Sequence, residues 1–225
     1  NVGISANDAA IQVRNKALKL ASILLEKPED ELELSDGAVR ARSDSNQFIT
    51  LADLALQLSP AVAGKLPEGF ETAGLEAVSY QTTDYMPHSS GANIAKVEVD
   101  VVTGGIKILD YYVVHDCGRI LNPMIVDGQI IGGVVHGIGN AMFEQMVYDD
   151  SGNPMTTNYG DYLLPLASEM PEIHLAHIET PSPANPMGLK GAGEGGTIPA
   201  IGAMINAIED ALTPFDAYIA KYPVT

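Results

Sequence analysis

Hydrophobic residues recur at the spacing of helix turns in four stretches of the chain. This periodicity predicts four α-helices, over residues 5–27, 51–58, 124–143 and 198–212. A hydroxyl side chain before a hydrophobic run often caps a helix, so Thr50 and Thr197 are expected to cap the second and the last helix. Pro199 fits the first turn of the last helix, where proline is tolerated.

Alternating hydrophobic and polar residues predict strands between these helices. The clearest pattern is a hairpin, with strands over 92–101 and 106–114 joined by the turn Thr103-Gly104-Gly105. Shorter strands are predicted over 32–34, 38–42 and 173–178, and a further hairpin is centred on 149–153. Strands and helices mix without regular βαβ alternation, which indicates an α+β fold.

Residues 60–90 are irregular and contain several prolines, glycines and polar residues, which indicates a boundary between two parts of the chain. The first part, 1–80, is expected to be a helix with a small α/β subdomain. The second part, 81–225, contains the hairpin, a glycine-rich helix and a glycine-rich loop.

The predicted helix over 124–143 is unusual because five glycines fall within it. A glycine inside a helix costs about 1 kcal/mol relative to alanine. Glycine at such frequency indicates that something packs very close to the helix backbone. Either another element of the protein or a buried ligand would explain the pattern.

Charge and cysteine content exclude several classes of protein. The formal net charge of -17 would repel phosphate backbones, so we expect no nucleic-acid partner. The single cysteine, Cys117, cannot form an internal disulfide, and we expect a cytoplasmic protein. The longest apolar run, 125–135, is interrupted by Asp127 and Gln129 and is not expected to span a membrane. Neither terminus resembles a natural chain end, so we expect a fragment or a processed subunit.

The segment from Gly188 to Thr197 is the strongest candidate for chemistry. A glycine-rich loop that leads into a helix lets backbone N–H groups approach an anion, and Lys190 would add a positive charge. The loop matches neither a dinucleotide-binding fingerprint, because a proline-rich coil precedes it, nor a P-loop. Glu194 has two readings: a general base on a pocket wall, or a carboxylate that satisfies the N–H groups of the following helix.

His115, Asp116 and Cys117 suggest a metal site or a Cys–His nucleophile at first sight. Adjacent residues of a strand point to opposite faces, so the three side chains cannot bind one ion. We therefore assign no side-chain metal ligand and expect a buried structural role. His136 and Gln129 lie in the glycine-rich helix, where a packed, hydrogen-bonded side chain is the ordinary role.

Two segments together resemble the large subunit of the molybdenum hydroxylases. The first is 114–123, which continues through 126–133 and 137–139, and the second is 181–194, which continues to 206–208. This family includes xanthine dehydrogenase, aldehyde oxidase and the aerobic dehydrogenases of carbon monoxide and N-heterocycles. The resemblance covers nearly the whole chain and is most specific over 92–212.

The resemblance implies that the chain is the C-terminal, molybdopterin-binding part of that subunit. The family hydroxylates carbon of a small substrate, such as a purine, an aldehyde or an N-heterocycle, with oxygen drawn from water. Glu194 falls on the glutamate that acts as catalytic base, and Gln129 on a glutamine that hydrogen-bonds the pterin. The other implied cofactor-binding positions are Lys190, Gly191, Ala192 and Gly193.

The resemblance also implies a larger assembly. The cofactor is expected in its cytosine dinucleotide form, with [2Fe–2S] clusters and FAD on partner subunits or domains. The N-terminal half of the molybdenum subunit would complete the site, and the assembly is expected to be a dimer of heteromers. The fragment alone is expected to be inactive. Gly195-Gly196 stand where relatives often have Pro or Ser, which loosens any inference about substrate.

Two other functions are alternatives to the enzyme hypothesis. A free-standing nucleotide or anion binder would use the loop over 188–197 without a metal. A scaffold module would dock a partner subunit through the glycine-rich helix.

Overall fold

The computed structural model of the protein describes residues 2–61, 66–82 and 85–224. The chain divides into two compact units, 1–83 and 84–225. The boundary expected after residue 80 lies near this division. Within the stretch 60–90 that was expected to be irregular, residues 62–65 and 83–84 lie outside the described part.

The first unit is a long helix packed with a small antiparallel sheet and a short helix. Its elements are α1 (Val2–Leu25), β1 (Leu32–Ser35), β2 (Ala38–Ala41), β3 (Asp44–Thr50) and α2 (Leu51–Gln57). The sheet order is β1-β2-β3. The hydroxyl of Thr50 accepts a hydrogen bond from the backbone N–H of Asp53 at 3.1 Å, so the predicted cap of α2 is confirmed.

Fewer residues of α1 are buried than the sequence pattern indicated. Ala17, Leu18 and Leu20 of α1 are buried, whereas Ile11 and Leu24 are exposed, although all five follow the helical repeat. The strand β3 was not predicted, because its polar sequence carries no alternating pattern. Backbone pairing with β2 forms it instead.

The second unit places a three-stranded sheet against two helices. Its elements are β4 (Ser90–Val99), β5 (Ile106–Asp116), α3 (Pro123–Met142), β6 (Ile173–His177) and α4 (Thr197–Ala211). The predicted hairpin is confirmed, since β4 and β5 pair antiparallel, and β6 adds to β5 in parallel. The core lies between the sheet and both helices; it consists of Tyr111, Val113, Ile130, Val134, Ile138, Ala141, Ala200, Met204 and Ile208.

The start of α4 differs from the prediction. Thr197 is the first residue of the helix and not its cap, because the capping position belongs to Gly196, which makes no side-chain bond. A Cβ at position 196 would lie 3.1 Å from Cα of Gly133 and would collide with the carbonyl of Ile130. Close packing against α3 therefore excludes a hydroxyl side chain at the capping position.

The hairpin expected around 149–153 is reduced to a turn. A single bridge joins Tyr148 to Pro154, and the Asp149 carboxylate accepts from the backbone N–H groups of Ser151 and Asn153 at 2.9 and 2.8 Å.

The mixture of helices and small sheets confirms the α+β class. Over 2–61, 66–82 and 85–224, no helix is both long and apolar enough to cross a bilayer.

Candidate active site

Residues 117–119 and 188–190 meet directly beyond the end of β5. Gly118 forms an isolated bridge with Leu189. The N–H of Lys190 donates to the carbonyl of Cys117 at 2.9 Å, and the N–H of Arg119 donates to that of Gly188 at 3.0 Å. Gly118 has a φ of +71°, and a Cβ there would collide with the Gly188 carbonyl, so the approach requires glycine. This contact positions the loop that carries Glu194.

Asp116 fixes the same junction through its carboxylate. It accepts from the N–H of Gly118 at 2.8 Å, from the N–H of Thr180 at 3.2 Å and from Nζ of Lys190 at 3.0 Å. Desolvation alone would raise the pKa of Asp116, but the bonds from Gly118, Thr180 and Lys190 together hold it well below its ordinary value of 3.8. Sequence reasoning missed this role, because the three donors lie up to 74 positions away along the chain.

Four of the five glycines of α3 serve two different purposes. Gly133 and Gly137 allow α4 to approach: a Cβ at Gly137 would lie 2.7 Å from the carbonyl oxygen of Thr197. Gly128 and Gly132 have no heavy atom within 4 Å of where a Cβ would stand. A partner element therefore explains one pair of glycines, and the other pair borders open space.

Glu194 lies where two cavities adjoin. A cavity of about 330 Å³ is bordered by Gly128, Gln129, Gly132, Gly133, His136, Gly193, Glu194 and Thr197. A second cavity of about 540 Å³ is bordered by residues 86–91, His115, Gly191, Gly193–Gly195, Ile198 and Pro199. Gly193 and Glu194 belong to both. Residues 86–91 were expected only as an irregular stretch, and their sequence carries no signal that would place them here.

The Glu194 carboxylate has no hydrogen-bond or ion-pair partner among the described residues, and the side chain is exposed. Its backbone carbonyl accepts from the N–H groups of Thr197 and Ile198 at 3.1 and 3.2 Å. The backbone, and not the carboxylate, thus supports the first turn of α4, where no side-chain cap is present. The carboxylate remains available for a ligand in either cavity.

The amide of Gln129 reaches the same loop from α3. Its Nε2 donates to the carbonyl of Gly193 at 2.6 Å, which ties the helix to the residue before Glu194. Gly191 and Gly193 both border the larger cavity, and a Cβ at either would meet no heavy atom within 4 Å. Ala192 lies between them and is half-buried.

Lys190 does not border either cavity. Its side chain is 13% exposed and pairs with the 12% exposed side chain of Asp116. The positive charge that we expected for an anion in the loop is therefore neutralised within the protein. Lys190 contributes to the position of the loop instead.

His115 is the other notable group of the larger cavity. It follows Tyr111 and Val113 on the inward face of β5 and is 1% exposed. Desolvation by burial is the main cause that lowers the pKa of His115, and the nearby His177 lowers it further against the effect of Asp116. Across 2–61, 66–82 and 85–224, no three His, Cys, Asp or Glu side chains are close enough to hold a metal ion.

The chain belongs to the molybdopterin cofactor-binding domain family, whose model matches residues 2–171. Its similarity to the molybdenum hydroxylases is thereby confirmed. Glu194 lies beyond the residues that this model matches.

Individual relatives extend the similarity over nearly the whole chain. The chain is 41% identical to the nicotine 6-hydroxylase large subunit of Paenarthrobacter nicotinovorans, over 99% of its own length and 27% of that protein. It is 36% identical to the carbon monoxide dehydrogenase large chain of Hydrogenophaga pseudoflava, over 90% and 25%. The structure of quinoline 2-oxidoreductase from Pseudomonas putida 86 matches with a TM-score of 0.72 and 37% identity, over 96% and 27%. The chain thus spans about a quarter of the length of the relatives it matches.

The open glycine positions test whether a large flat cofactor suits this surface. Gly128 and Gly132 on α3, with Gly191 and Gly193 in the loop, leave room that any side chain would fill. Both regions adjoin Glu194, and backbone amides in the loop suit the polar edge of a pterin. The residues present therefore fit the cofactor that the family implies.

Proposed function

We propose that this chain is the part of a molybdenum-dependent hydroxylase that supplies the catalytic base and one wall of the cofactor site. The observation that carries the proposal is Glu194, which borders two adjoining cavities and whose carboxylate has no protein partner in the described part. The net reaction would replace a carbon-bound hydrogen of a small substrate with a hydroxyl derived from water.

The chain's own residues divide the work. Gln129, Gly191, Ala192 and Gly193 would hold the cofactor, through the amide of Gln129 and the open backbone of the loop. Lys190 would act indirectly, by fixing the loop through Asp116. When bound, the molybdenum cofactor supplies the transferred oxygen and takes up the electron pair of the substrate's C–H bond.

Glu194 would take up at its carboxylate a proton from the water-derived oxygen that is transferred to the substrate, and later release that proton to solvent. A general base needs a position within hydrogen-bond reach of the proton it removes. The loop supplies that position, since Gln129 bonds the carbonyl of Gly193 and the Glu194 carbonyl anchors the start of α4. The backbone around the carboxylate is thus held from both sides while the side chain stays free.

The wider assembly follows the family expectation. We propose that the rest of the large subunit completes the cofactor site, that the cofactor is the cytosine dinucleotide form, and that [2Fe–2S] and FAD subunits carry the electrons away. We further propose a cytoplasmic dimer of heteromers. Among purines, aldehydes and N-heterocycles we favour an N-heterocycle as substrate, because relatives named for nicotine and quinoline are 41% and 37% identical.

The test begins with metal analysis of the protein purified from its host with its native partners. Near-stoichiometric molybdenum, with iron and flavin on accompanying chains, is the expected result. A metal-free assembly would overturn the proposal and favour a binding or scaffold module.

Glu194→Gln then tests the base itself. We expect turnover to fall by about 10²- to 10⁴-fold with molybdenum content unchanged, because the amide cannot take up a proton. Glu98→Gln, at an exposed position of β4, is the matched control and should leave turnover intact. Near-normal turnover of Glu194→Gln would remove this residue from the mechanism.

A further inference from the structure

Both ring nitrogens of His115 are buried and lack a hydrogen-bond partner in the part of the chain that the structure describes. The side chain is only 1% exposed. Buried polar atoms in folded proteins almost always have a partner, either in the protein or in a bound molecule. An imidazole with neither nitrogen paired at the wall of a cavity therefore points to something that the cavity binds.

One glycine makes room for this ring. A Cβ at Gly195 would collide with Nε2 of His115, whereas a Cβ at Gly91 would lie 3.6 Å from Cδ2, an ordinary van der Waals distance. Gly91, Gly195 and His115 all border the cavity of about 540 Å³ that Glu194 also borders. The edge of the imidazole thus occupies space that a side chain at position 195 would have closed.

The charge state of the ring follows from its surroundings. Burial and the neighbouring His177 favour the neutral form, while Asp116 acts in the opposite direction. Asp116 is already engaged by Lys190, and Nε2 of His177 lies 2.7 Å from Asp127. A neutral imidazole offers one N–H donor and one acceptor nitrogen, which suits a water molecule or a heteroatom of a neutral substrate.

We propose that His115 is a ligand-binding residue of this cavity, where its imidazole hydrogen-bonds a polar atom of the molecule that lies beside Glu194. That molecule is the small substrate or a water that it displaces, and both present the same oxygen or nitrogen chemistry to the ring. The role in substrate binding rests on the proposed function, whereas the hydrogen bond itself does not.

A crystal structure of the assembled enzyme, with all its subunits, tests the contact directly. The expected result is a water or ligand atom within about 3.2 Å of a ring nitrogen of His115. Pairing of the ring with a protein group from outside the described residues, or no partner at all, would overturn the proposal. This result does not depend on molybdenum content, so its failure is distinct from failure of the proposed function.

Substitution of His115 distinguishes a substrate partner of the ring from a water partner. In the assembled enzyme, His115→Phe keeps a ring of similar size without hydrogen-bonding atoms, and His115→Gln restores a polar group near Nε2. If the ring binds substrate, His115→Phe should raise KM about tenfold at unchanged molybdenum content, with partial rescue by His115→Gln. If it binds water, kcat and the pH profile should change while KM does not.

The matched control is His174→Phe, because His174 stacks on Tyr112, lies within 3.8 Å of the carboxylates of Asp110 and Glu172, and does not border this cavity. It should leave KM, kcat and the pH profile unchanged. If His115→Phe folds and matches the wild type in all three, His115 has no role in the cavity. If His115→Phe does not assemble, His115→Gln decides. Wild-type KM, kcat and pH profile in His115→Gln, together with a protein partner on the His115 ring in the wild-type crystal structure, would overturn the proposal.

Discussion

Removal of the Asp116 charge should loosen the junction that positions the Glu194 loop. In Asp116→Asn, the amide oxygen can still accept from Gly118 and Thr180, but Lys190 loses its counter-ion at a site where its side chain is 13% exposed. Breaking a fully buried ion pair by removal of one partner costs about 3 to 5 kcal/mol, and this part-buried pair belongs at the lower end of that range. Because each 1.4 kcal/mol is about a factor of ten, local opening should become at least about 100-fold more frequent.

Hydrogen–deuterium exchange of the assembled enzyme measures this opening. The informative amides are those of Arg119 and Lys190, which donate across the junction. Their exchange should rise at least about 100-fold in Asp116→Asn. In the double variant Asp116→Asn/Lys190→Met, exchange should return most of the way to the wild-type rate, since no charge is left unpaired.

An exposed ion pair provides the control for this measurement. Arg42 and Glu33 lie 3.4 Å apart with side chains 56% and 47% exposed. Such pairs contribute at most about 1 kcal/mol, so Glu33→Gln should change exchange in β1 and β2 by less than about fivefold. Exchange within twofold of the wild type in Asp116→Asn would refute the reasoning, as would a double variant that is worse than either single one.

Three further predictions concern the glycines of α3 and the Asp116 junction. Gly137→Ala should destabilise the protein by about 1 to 3 kcal/mol in thermal unfolding, because its Cβ would press α4 away from α3; Gly202→Ala, on open α4 surface, should not destabilise it. Gly132→Leu should leave the unfolding temperature of the cofactor-free protein unchanged and lower molybdenum content, since it fills the open face of α3. Acidification should raise junction exchange, corrected for intrinsic rate, as pH falls below 3.8 in the wild type but not in Asp116→Asn.

The sign of the acid effect follows from the direction of the pKa shift. The folded state holds the pKa of Asp116 below its ordinary value, so its contribution to stability is fully present above pH 3.8. Protonation on acidification removes that contribution as the pH falls through the lower, folded value. Junction exchange that is independent of pH in the acid range would contradict the assigned bonds.

Local pattern predicted most of the secondary structure. The repeat of hydrophobic residues located α3 and α4 to within a residue at each end, and alternation located the β4–β5 hairpin. These signals succeed because they report which residues share a face of a helix or strand. The same signals could not find β3, since a polar edge strand depends on its neighbour for its backbone bonds.

The sequence by itself also determined the family and the identity of the candidate base, because both rest on residue types in order along the chain. Only the tertiary structure decided what surrounds Glu194. It brought His115 and residues 86–91 to the same cavity and engaged Lys190 with Asp116. It also divided four of the five glycines of α3 between a helix contact and an open face. Periodicity carries no information about which distant segments meet, and each of these features is a contact between such segments.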